Sequence, residues 1–157
     1  MARQMEQSVP SESPESLLTS GRWEHFDHQA DIGVRGRGAT KADAFAQAAR
    51  ALTAVLTDPD RIGTGQRVQI ECRAPDDEFL LVDWLNRIVY EMATRRMLFG
   101  QFKVAIEGDR LTAEAIGEPV DALRHAPAVE VKGATYTAAK VGPEPDGSWV
   151  AQCVVDV

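Results

Sequence analysis

The run Trp23-Glu24-His25-Phe26-Asp27-His28-Gln29-Ala30-Asp31-Ile32-Gly33-Val34 carries the first strong pattern in the chain. Phe26, His28, Ala30, Ile32 and Val34 alternate with Asp27, Gln29, Asp31 and Gly33. A period of two predicts a strand with one face turned to a core. Gly36 and Gly38 are expected to break that strand. Thr40 then suits a helix N-cap, with Asp43 three residues on in a near capping-box arrangement. Phe45, Ala48, Ala49, Leu52, Val55 and Leu56 follow at three-and-four spacing, and Asp58-Pro59 stops the helix.

Outward from there the pattern alternates between strands and one more helix. Val68, Ile70 and Cys72 predict a strand. Pro75 and the acidic run Asp76-Asp77-Glu78 precede a helix, where the macrodipole favours negative charge. Leu80, Leu81, Trp84, Leu85, Ile88, Val89 and Met92 give that helix an apolar face as far as about Met97. Phe102, Val104 and Ile106 lead through Glu107-Gly108-Asp109-Arg110 to Leu111, Ala113 and Ala115, a hairpin. Residues 117–128 are expected to be a connecting loop and 129–141 to be extended. Trp149, Ala151, Cys153 and Val155 alternate as a last strand. The sum is an α+β fold, with two main helices on a mostly antiparallel sheet.

The chain has 157 residues, a length suited to one domain with a core of ordinary size. Seventeen Lys and Arg face twenty-four Asp and Glu, a net charge of −7. That balance excludes a broadly basic face gripping a phosphate backbone. The longest apolar run, Phe79-Leu80-Leu81-Val82, is too short to cross a membrane or form a signal-peptide core. Residues 1–21, rich in Ser, Pro and Glu, are expected to be a flexible tail, leaving 22–157 as the folded domain. Cys72 and Cys153 have no partner at ligand spacing, which predicts reduced, buried side chains in a cytoplasmic protein.

The carboxylates are the best candidates for chemistry. If the segment is fully extended, the Cα atoms of Asp27 and Asp31 lie about 13 Å apart at ~3.3 Å per residue. Both could not then hold one ion. Either the chain turns between them, or one is a ligand and the other has a structural duty. Asp156 is followed only by Val157, so a side-chain carboxylate and the terminal carboxylate are neighbours in sequence. Asp31, Asp156 and the Val157 carboxylate would suit a hard divalent cation, which wants oxygen ligands. The plainer reading puts Asp156 on the polar face of a last strand. Gly33-Val34-Arg35-Gly36-Arg37-Gly38 lacks phosphate-loop spacing, and a strand ending in a flexible turn fits it better. No nucleophile is paired with His25, His28 or His125 in a hydrolase pattern.

The opening run Trp23 to Gly33 also resembles the signature of the archease family. So do Leu80-Leu81-Val82-Asp83-Trp84-Leu85-Asn86, Gly117-Glu118, Glu130-Val131-Lys132 with Thr135-Tyr136, and the ending Trp149 to Val157. The motifs keep the family's order over residues 22–157. Gln29 stands where the family often has Thr, and Thr137 where His is frequent. The resemblance implies an archease-like single domain. It further implies a non-enzymatic protein cofactor that promotes guanylylation and multiple turnover of an RtcB-type, GTP-dependent RNA ligase in tRNA splicing and RNA repair. RNA would be met only through the ligase. The implied metal ligands are Asp31, Asp156 and Val157, with Asp27 and His28 as neighbours behind them. The implied ion is Ca²⁺, with Mg²⁺ or Mn²⁺ as alternatives during ligation. Two other readings stand beside this one. One is a metal-dependent hydrolase or nucleotidyl-transfer enzyme drawing on His28 and Asp27; the other is a metal-independent chaperone of RNA-modifying enzymes.

Overall fold

The computed structural model describes residues 21–157, so the expected tail falls outside the described residues except for Gly21. Strands β1 (Arg22–His28) and β2 (Asp31–Gly38) lead into helix α1 (Lys41–Leu56). After a 3₁₀ turn (Pro59–Arg61) come β3 (Gln66–Arg73) and helix α2 (Asp77–Arg95). Strands β4 (Met97–Glu107) and β5 (Arg110–Pro119) are followed by the four-residue helix α3 (Ala122–His125). The short β6 (Gly133–Ala134) and β7 (Lys140–Pro143) precede β8 (Trp149–Asp156).

All pairings are antiparallel, but they form two sheets rather than one. β1, β2 and β8 lie side by side, with β6 and β7 both on the far edge of β8. β3, β5 and β4 form the second sheet. Helix α1 touches β1, β2 and β8 of the first sheet and β4 of the second. Its alanines allow that closeness on both sides: Ala44, Ala48, Ala49 and Ala51 are fully buried. Two polar groups buried in this layer are paired: Trp84 Nε1 donates to Phe45 O (3.0 Å) and Thr53 Oγ1 to Phe99 O (2.7 Å). The α+β expectation, with two main helices against antiparallel strands, therefore holds. The expected Thr40 cap holds as well, accepting from the Asp43 amide (3.1 Å), and the acidic run before α2 turns out to supply a cap of its own, with Asp76 accepting from the Phe79 amide (2.9 Å). No described helix is long and apolar enough to cross a membrane.

Several local expectations need correction. The single strand expected through residues 26–34 is a hairpin, because Gln29 adopts φ 54° and the chain reverses across Gln29-Ala30. Gly36 and Gly38 do not break β2; they lie within it. A Cβ on Gly36 would sit 2.2 Å from Ala44 O and Ala48 N, so the bare backbone there lets α1 lie against the sheet. Residues 117–119 continue β5, and α3 interrupts the loop expected up to residue 128. Between 129 and 141 only β6 and the start of β7 are strand. Cys72 and Cys153 are free and buried, as expected, and burial pushes their thiols up to about 11 and about 12.

Candidate metal centre

The reversal at Gln29-Ala30 answers the question left open by the Asp27–Asp31 spacing: the chain turns. His28 and Asp31 are the closing pair of the hairpin. β2 then pairs with β8 from Ile32 opposite Val155, and the next step of that register sets Asp31 opposite Asp156. Asp156 in turn faces Gly133. His28, Asp31, Asp156 and Gly133 thus form one straight row across four strands, at the end of the sheet nearest the hairpin. Side chains in such a row share a face, with neighbouring Cβ atoms about 4.5–5.5 Å apart. Asp27 is opposite Ile32, so strand alternation puts it on the other face. Of the sequence-predicted site residues, the register therefore brings Asp31, Asp156 and His28 together and leaves Asp27 out.

The row lies at the edge of solvent. Asp31 and Asp156 are exposed, whereas Val157 is half-buried with its side chain against the core. Lys132 N–H donates to Asp156 O (2.8 Å), tying the end of β8 to the segment before β6. His28 is half-buried, and its Nδ1 is one of two buried side-chain polar atoms without a hydrogen-bond partner among the described residues. No group of three or more His, Cys, Asp or Glu side chains able to hold a metal occurs among the described residues. Two carboxylates directly opposite on neighbouring strands repel each other, and a cation between them removes that cost. Carboxylate oxygens such as those of Asp31 and Asp156 are the donor type that a hard divalent ion takes.

Arg35 and Arg37 occupy the same face of β2 further along. They are already engaged: Arg35 Nε donates to Gln152 Oε1 (2.7 Å) and Arg37 pairs with Glu24 (3.1 Å) and Glu144 (3.2 Å). Arg35 also lies over the Phe26 ring, 4.5 Å from its centroid. This ladder, rather than a flexible turn, is what the Gly- and Arg-rich run forms.

A second polar node escaped the sequence reading. Glu118, at the end of β5, accepts from Arg124 Nη1 (2.5 Å), the Gly63 amide (2.7 Å) and His125 Nε2 (2.8 Å). His125 Nδ1 accepts from the Asp121 amide (2.8 Å), so the backbone donor fixes Nδ1 bare and leaves the ring proton on Nε2. Its side chain is fully enclosed. Arg124 beside it, then the Gly63 amide and His125, hold the Glu118 carboxyl down at about 2. The node anchors a segment whose Val120, Pro127, Val129 and Val131 wall an apolar pocket of about 260 Å³ between the C-terminal halves of α1 and α2. The available signal was Asp121 as an N-cap four residues before a histidine, with α3 completing the turn.

Comparison with known proteins bears on the whole domain. Residues 23–157 match the model of the Archease protein family. Protein archease of Pyrococcus furiosus is 39% identical over 140 residues, covering 87% of this chain and 99% of that protein. Protein archease of Methanopyrus kandleri is 40% identical over 139 residues, covering 86% and 99%. The solution structure of Methanobacterium thermoautotrophicum protein 1598 superposes with a TM-score of 0.75 at 31% identity, over 86% of this chain and 98% of that one. A Thermotoga maritima archease, described as a possible chaperone, shares the fold at a TM-score of 0.53 and 16% identity, over 84% and 94%. The chain belongs to the archease family.

Proposed function

We propose that this protein is a metal-binding protein cofactor of an RtcB-type, GTP-dependent RNA ligase, acting on the ligase rather than as an enzyme itself. The observation that supports this reading best is the register that sets Asp31 opposite Asp156 one residue before the chain ends, in a member of the archease family. Asp31, Asp156 and the Val157 carboxylate would hold the ion, Ca²⁺ by family resemblance and Mg²⁺ or Mn²⁺ by the same oxygen chemistry. Such an ion offsets negative charge on phosphate oxygens. The protein's own part is to present two carboxylates from adjacent strands, each one residue beyond the paired Ile32 and Val155. The −7 charge favours encounter with a basic, RNA-binding partner.

The test measures guanylylation and multiple-turnover ligation by the cognate ligase with and without this protein. Stimulation is expected from the native chain and its loss from Asp31→Asn and Asp156→Asn, both still folded. A short extension after Val157 should weaken divalent-ion binding by moving the terminal carboxylate. Full stimulation by both Asn variants would overturn the reading.

A further inference from the structure

Every residue from 119 to 130 is exposed except His125. Most of them are apolar, and Leu123 is 96% exposed, with the exposed Val120 and Val129 on either side of it in the chain. A lone exposed leucine carries no meaning. This one belongs to a run that walls the apolar pocket between α1 and α2 through Val120, Pro127 and Val129. The run is held firmly. Val120 N–H donates to Arg96 O (3.0 Å) and Ala128 N–H to Leu56 O (2.9 Å). Between these ties Asp121 caps α3 through the Leu123 and Arg124 amides (3.1 and 3.2 Å), and His125 is fastened to Glu118 (2.8 Å). The backbone is pinned at both ends and in the middle while Leu123 faces water, so a partner docking there has little left to order.

At about 260 Å³ the pocket is small for a metabolite, and Glu130 is the one charged side chain in an otherwise apolar lining. Such a hole suits an aliphatic side chain better than a ligand that needs orienting hydrogen bonds. Leu123 supplies that side chain on the same surface. We propose that the protein associates as a two-fold symmetric dimer in which Leu123 of each copy fills the apolar pocket of the other. A two-fold interface brings the same patch together from both partners, so a knob and a hole side by side engage twice. The charges agree with this pairing. Arg124 follows the knob and Glu130 borders the hole, so seating Leu123 brings Arg124 of one copy towards Glu130 of the other, in both directions. The patch shares no residue with the row of Asp31 and Asp156, and the proposal stands apart from the metal-centre reading.

Sedimentation equilibrium of the full chain over a wide range of concentration tests this, with thermal unfolding of each variant as a check on folding. The native chain is expected to show a monomer–dimer equilibrium. Leu123→Glu removes the anchor from both copies and should weaken dimerisation by on the order of 100-fold. It should unfold like the native monomer, since Leu123 is almost wholly exposed. Ala93→Trp, which blocks the hole from its α2 rim, should weaken dimerisation in the same way. The two variants retain one knob and one hole between them. Mixed together they should form a heterodimer more tightly than either pairs with itself, and less tightly than the native chain does. A native chain that stays monomeric at every concentration overturns the proposal and leaves the patch to a different partner. A dimer indifferent to Leu123→Glu or to Ala93→Trp overturns it too. A mixture that gains nothing over the separate variants shows that the contact is not a reciprocal insertion, with the same consequence.

Discussion

His28 and His125 are both drawn away from water, and the structure treats them in opposite ways. His125 uses both ring nitrogens, one on the Asp121 amide and one on Glu118, and Glu118 collects two further donors. His28 keeps a buried Nδ1 without any partner. A closed polar network of the first kind holds a loop in place and has no free valence for a ligand. An open one of the second kind leaves a buried polar atom unpaired, at a cost in local stability. The two histidines differ more in hydrogen bonding than in exposure, and His125, the more buried of the two, is the one whose ring nitrogens are both paired.

The strongest way to break the comparison is to open the closed network. Glu118→Ala removes the acceptor for the Gly63 amide and for the enclosed His125 ring, while the half-exposed Arg124 can turn to water. At about 1–3 kcal/mol for each buried donor left unpaired, the loss should be on the order of 3 kcal/mol, or roughly 6–12 °C in Tm for a domain of this size. The wall of the apolar pocket should loosen as well, seen as increased binding of a hydrophobic dye. A Tm within a degree or two of the native protein would show that the node is not an anchor. No comparable change is expected from His28→Ala.

The same contrast has a pH signature. The Glu118 carboxyl is held at about 2 by Arg124, the Gly63 amide and His125, against about 4.3 in an unfolded chain. A group whose folded value is depressed contributes stability above its unfolded value and loses it as pH falls toward the folded one. Native stability should therefore decline from about pH 4.5 toward about pH 2. Glu118→Gln, with no carboxyl to titrate, should show a shallower decline, so that the gap between the two closes at the acid end. Parallel curves for the two proteins over that window would remove Glu118 as the cause.

Much of the fold was legible because it rests on local signals. The Thr40 and Asp76 caps, the apolar face of α2 and the Gly108 hairpin are each written within a few residues. What misled was the segment from Trp23 to Gly38. Its alternation runs through the turn without a break, because Gln29-Ala30 carries none of the Gly, Asn or Asp chemistry that marks a two-residue reversal. The glycines of β2 read as breakers because the reason for them is α1, which lies against that strand at a separation only the folded chain supplies. Asp31 and Asp156 were legible as residues but not as a pair, since their alignment depends on a register between strands 125 positions apart. The Glu118 node was missed for a related reason. Gly63, Glu118 and His125 come from a loop, a strand and a helix, and only the Asp121 to His125 interval is local.

The subtlest test concerns the open row itself. Asp31 and Asp156 each lie one step beyond the Ile32–Val155 pair at the end of a sheet, and like charges opposite on neighbouring strands are destabilising. In a protein freed of divalent ions, neutralising one of them should raise stability. We expect Asp31→Asn and Asp156→Asn each to gain about 0.2–1 kcal/mol at low ionic strength. The gain should shrink as salt is added, because both groups are exposed and screened. Adding Ca²⁺ should then reverse the order, since only the native chain can trade that repulsion for an ion and be stabilised by binding it. Thermal unfolding of the three proteins, with a chelator and then with Ca²⁺, reads both signs in one experiment. A site kept for binding costs stability when empty. Two Asn variants less stable than the native chain in chelator would mean that these carboxylates serve the fold, and the distinction between the open row and the closed node would collapse.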